Sequence, residues 1–99
     1  MHQEDEKKRK QFTLKDNIKS IDLNKSQVDK IFAKYNIVSE SSKCILTLES
    51  FTNNLNDKID YDVSIKCVDT NNTYPLKTDG SLSKIENYFD SVVSFSNES

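Results

Sequence analysis

The sequence predicts an α+β fold: a two-layer sandwich of order helix–three-stranded antiparallel sheet–helix (αβββα), with a polar N-terminal extension. Three observations carry it. Val28, Ile31, Phe32 and Tyr35 recur at helical spacing, which makes one apolar stripe on a helix. "KCILTLESF" and "YDVSIKCVD" alternate apolar and polar residues, the period of a half-buried strand. Leu82, Ile85, Phe89, Val92 and Val93 then return to helical spacing near the C-terminus.

Taken in order, residues 1–11 are almost wholly polar and read as a disordered tail. Within 12–23, Leu14, Ile18 and Ile21 have helical spacing, which predicts a possible short helix. The αβββα domain follows over 24–96. Its first helix spans about 26–36, with Asn24 or Ser26 as N-cap. In the first strand Cys44, Leu46 and Leu48 point one way; Lys43, Ile45, Thr47 and Glu49 point the other. In the second, Tyr61, Val63, Ile65 and Cys67 face inward. A third strand over 73–78 has Tyr74 and Leu76 inward. Pro75 lacks an N–H and places this strand at an edge. Gly80 marks a turn, and Ser83 with Glu86 has capping-box spacing at the start of the last helix.

Composition narrows the function. The chain has 99 residues, 34% apolar and 30% charged, which suits one domain with a modest core. Only one Gly and one Pro occur, too few for a turn-rich barrel or sandwich. Residues 1–35 carry nine Lys/Arg against six Asp/Glu, and residues 36–99 five against ten, giving net charges of +3 and −5. An acidic C-terminal part repels phosphate unless its lysines cluster. No run is long and apolar enough to span a membrane, and "MHQEDEKKRKQF" lacks the apolar stretch of a signal peptide. The expected place is cytoplasmic, or nuclear, where Cys44 and Cys67 are buried, reduced thiols.

No catalytic constellation is present. The only His, His2, lies in the tail, so neither a nucleophile–base pair nor a zinc site forms around it. There is no glycine-rich phosphate loop. The chain is expected not to be an enzyme, and to use no cofactor, metal or small-molecule substrate. Function then falls to the polar sheet face. A meander with short loops places Lys66 across from Lys77, with Lys43 diagonally beyond, and brings Glu49 against Asp62. Like charges opposite each other destabilise a sheet, and a bound phosphate relieves that. Lys43, Lys66 and Lys77 are thus the candidate anion-binding residues. Ile45 and Val68 share this face and suit a protein contact.

"LKTDGSLSKIENYF", with Lys77, Thr78 and Asp79 before the turn and Lys84, Ile85, Glu86 and Phe89 after it, resembles the C-terminal part of the nine-kilodalton Alu-domain subunit of the signal recognition particle. "YDVSIKCVDT" resembles that family's middle strand. The resemblance implies a heterodimer with a like-folded subunit that binds structured RNA, through Lys43, Lys66 and Lys77 carried over by position, in a ribonucleoprotein. The alternative is a small protein–protein module, an RWD-like domain of a kinetochore-type or adaptor complex. Its affinity rests on apolar burial, in keeping with the −5 charge.

Overall fold

The computed structural model describes residues 15–53 and 55–98. Its elements are β1 (Lys15–Leu23), α1 (Lys25–Tyr35), β2 (Cys44–Asn53), β3 (Lys58–Cys67), β4 (Asn72–Gly80) and α2 (Leu82–Ser96). The strands form one antiparallel sheet in the order β1-β2-β3-β4. Both helices pack on one face of it and share a single core with its inward side chains. The fold is therefore α+β with four strands, not the three that αβββα requires.

The additional strand is β1, which replaces the short helix expected over 12–23; residues 12–14 and the tail 1–11 lie outside the described residues. A bulge explains the misreading. The pairing with β2 shifts between Asn17 and Lys19, which leaves Ile18 as an inserted residue, 47% exposed. Beyond it Ile21 faces Leu46 and Leu23 faces Cys44, the true period of two. One inserted residue makes Ile18 and Ile21 look like i, i+3 on a helix. Asp16, Asn17, Ser20 and Asp22 are also weak helix formers in a helix interior.

The remaining elements begin and end where local chemistry puts them. Asn24 caps α1 in a capping box: its side chain accepts from the Gln27 N–H at 2.9 Å, and Gln27 Oε1 accepts from the Asn24 N–H at 3.0 Å. Asn36 closes the helix at φ 57°, a left-handed conformation that Asn tolerates. Val28, Ile31 and Phe32 are buried. Leu46 lies opposite Ile65 and Leu48 opposite Val63, so these strands bury the side that alternation predicts. β4, with Pro75, is an edge strand. The helices are tied together by the Tyr35 and Tyr88 hydroxyls and by Gln27 Nε2, which donates to Asn97 Oδ1 at 2.9 Å. Burial and the Tyr88 hydroxyl push the Tyr35 phenol above its ordinary pKa.

α2 starts one residue after Ser81, not at Ser83. The Ser81 hydroxyl accepts from the Lys84 N–H, and Ile85, Phe89 and Val92 are buried, while Leu82 is 40% exposed. The turn before it also differs from expectation. Asp79, at φ 62°, takes the left-handed conformation, and Gly80 does not. Gly80 serves close approach instead: a Cβ there would stand 2.6 Å from Ile85 Cδ1 and 2.7 Å from its Cγ1. Ile85 is fully buried and has no room to retreat. Gly80→Ala is expected to destabilise the protein by about 1–3 kcal/mol, the usual range for overpacking. Urea denaturation monitored by circular dichroism measures this, and an unchanged midpoint would refute it.

Candidate functional site

The sheet face away from the helices carries β2 and β3 side chains in matched rows. Ile45 is opposite Lys66, Thr47 opposite Ser64, and Glu49 opposite Asp62. Its centre is not the solvated surface that alternation suggests: Thr47, Ser64, Glu49 and Asp62 are all buried. The two facing carboxylates are each held by a lysine. Lys66 Nζ donates to Glu49 Oε2 at 2.7 Å, and Lys15 Nζ to Asp62 Oδ2 at 3.0 Å while lying 5.5 Å from the Phe51 ring centre. Among the described residues, Asp62 Oδ1 is buried without a hydrogen-bond partner. Two cations and two carboxylates make this a neutral array rather than a basic patch.

Of the three lysines singled out in the sequence, Lys43 and Lys66 are diagonal neighbours on the open face, as expected, and Lys77 is not with them. Lys66 lies opposite Thr73, not Lys77, and its charge is engaged by Glu49. The turn at Asn71, φ 61°, sets this register. Further along β4 the pairing shifts again, so that Lys77 lies opposite Val63, whose side chain is in the core. Lys77 thereby passes to the helix side, where its Nζ sits 5.8 Å from the Tyr88 ring centre. Lys43 precedes β2 and is aligned with Val68, whose N–H donates to the Lys43 carbonyl at 2.8 Å. This one-residue shift comes from a bulge in β4, which alternation between Tyr74 and Leu76 does not reveal.

At the Lys43 end of the sheet the chain forms a recess of about 300 Å³, lined by Asp22, Leu23, Lys43, Cys44, Ile45 and Val68. Its walls are mainly apolar, with Asp22 and Lys43 supplying opposite charges. Beside it lies a polar cluster that sequence reasoning missed. Ser41, only 2% exposed, donates its hydroxyl to Asp69, and Ser42 N–H donates to the same carboxylate at 3.1 Å. These two donors hold the Asp69 carboxyl below its ordinary pKa, the Ser41 hydroxyl contributing most. Ser41 Oγ also lies 3.2 Å from Cys44 Sγ.

Cys44 and Cys67 are directly opposite each other, with their sulfurs 3.0 Å apart. Both are free, buried thiols. Burial pushes the Cys44 thiol up to about 11, with Ser41 pulling the other way. Each thiol was legible as inward-facing, and their pairing follows from the same β2–β3 register that sets Glu49 against Asp62. Among the described residues no group of three or more His, Cys, Asp or Glu is placed to hold a metal ion, and no helix is long and apolar enough to cross a membrane.

Comparison of the chain with protein-family models, with curated proteins and with solved structures finds no match.

Proposed function

We propose that this chain is a small protein–protein interaction module that contacts its partner through the recess at the Lys43 end of the sheet. The recess itself carries the reading. Its 300 Å³ is at the small end of ligand pockets and fits one or two aliphatic side chains. Val68, one of its lining residues, is 61% exposed and offers an apolar contact to a partner. Asp22 and Lys43 orient a partner's charges, which gives specificity more than affinity. Lys15 and Lys66, two cations of the sheet face, are matched by Asp62 and Glu49, and Lys43 shares the recess with Asp22, which leaves little positive field for a polyanion. That weighs for this reading over an RNA-binding subunit of a ribonucleoprotein.

Val68→Glu tests the contact. Val68 lies in the exposed β3–β4 turn, so the fold is expected to survive. A partner recovered by affinity capture and titrated in purified form should bind the variant about 10- to 100-fold more weakly, the loss typical of an interface hot spot. The same protein titrated with structured RNA at two salt concentrations should show no binding. RNA binding with log K falling against log salt at a slope of about −2 to −3, as three phosphate contacts require, would overturn the reading. So would unchanged partner affinity in the variant.

A further inference from the structure

We infer that Cys44 and Cys67 form a reversible dithiol–disulfide pair, a redox-modifiable site that closes a covalent link between β2 and β3 beside the recess. The backbone geometry is suited to it. Val68 N–H donates to the Lys43 carbonyl, so the Lys43/Val68 positions are a hydrogen-bonded pair. In an antiparallel ladder the next pair, Cys44/Cys67, is then non-hydrogen-bonded, with Cα atoms about 4.5 Å apart and side chains drawn together. That separation lies inside the range a disulfide spans, about 4.4–6.8 Å. The sulfurs already face each other at 3.0 Å and need to close by about 1 Å to bond.

Access comes from the position of the pair. Cys44 is the first residue of β2 and Cys67 the last of β3, and β1 ends at Leu23 opposite Cys44. The pair therefore sits at the end of the sheet, where fraying opens strands without global unfolding. Cys44 also lines the recess. The oxidant is a small disulfide such as oxidised glutathione. The Cys44 thiolate attacks one glutathione sulfur and displaces the other as a thiolate, giving a mixed disulfide. The Cys67 thiolate then attacks Cys44 Sγ, forming the protein disulfide and releasing the second glutathione. Two protein thiols are oxidised, glutathione disulfide is reduced to two thiols, and the two protein protons pass to them. Burial of Cys44 keeps the thiolate scarce near neutral pH, so the exchange is slow and quickens as pH rises.

The test equilibrates the folded full chain with glutathione redox buffers, quenches with acid, alkylates under denaturing conditions and weighs the products. The expected product is a monomer lighter by two hydrogen atoms, with no glutathione adduct. Its equilibrium with the dithiol should be favoured on the order of 100-fold more in the native chain than in urea. Cys67→Ala removes the resolving thiol and should accumulate one glutathione at Cys44. If that variant fails to fold, the native-against-urea ratio decides alone. A ratio near one, a stable glutathione adduct on the wild-type chain, or a disulfide-linked dimer would each overturn the inference.

Discussion

Leu46→Ala is expected to lower the stability of this protein by about 3–4 kcal/mol, within the range for truncating a buried leucine. Leu46 has no exposed surface and sits in a central strand, flanked by Ile21 on β1 and Ile65 on β3. Helix residues Ile31, Ile85 and Phe89 belong to the same core. Strands held in a hydrogen-bonded ladder on both sides collapse poorly into a cavity, so the loss includes both the lost burial and the void. A domain of this size has only about 5–15 kcal/mol of net stability. The substitution should therefore move the urea midpoint by a large fraction of its value. A shift below about 1 kcal/mol would show that the core is looser than its burial indicates.

Lys66→Met should cost about 2 kcal/mol for a different reason. The substitution keeps most of the aliphatic stem and removes the cation that holds Glu49. Glu49 and Asp62, with side chains 8% and 5% exposed, then face each other across the sheet with Lys15 alone to balance them. Stranding a buried charge costs about 3–5 kcal/mol; the Lys66 side chain is 38% exposed, so solvent screening reduces what its loss removes. Glu49→Gln in the Lys66→Met background takes away the stranded charge and should recover about half of the loss. Denaturation of the wild type, both single variants and the double variant measures the coupling. Additive effects of the two substitutions would mean that the Lys66–Glu49 pair contributes nothing of its own.

The parts of the fold that were legible in the sequence share one property: their pattern repeats over several residues. Val28, Ile31 and Phe32 mark α1, and Ile85, Phe89 and Val92 mark α2, because a stripe of three or more residues outweighs one exception. Val63, Ile65 and Cys67 mark β3 for the same reason. β1 failed because it carries only Ile21 and Leu23 as inward apolar residues after a bulge, which is too short a run to reveal period two. The capping residue of α2 failed because Ser81 and Ser83 are both competent caps, and the chain's path out of β4 chooses between them. Lys77 was misplaced because its neighbourhood depends on pairing between strands. Bulges in β4 add residues without leaving a mark in the alternation.

What this sequence determined by itself is local: an acidic C-terminal part, two amphipathic helices, inward thiols, and a Glu49–Asp62 encounter set by the β2–β3 hairpin. Each follows from side-chain period or from residues close along the chain. Tertiary structure alone decided which charges meet. It set Lys66 on Glu49 and Lys15 on Asp62, and turned Lys77 to the helix side. The physical reason is register: moving a strand by one residue exchanges its faces, and the energies that select a register are summed over the whole packed sheet.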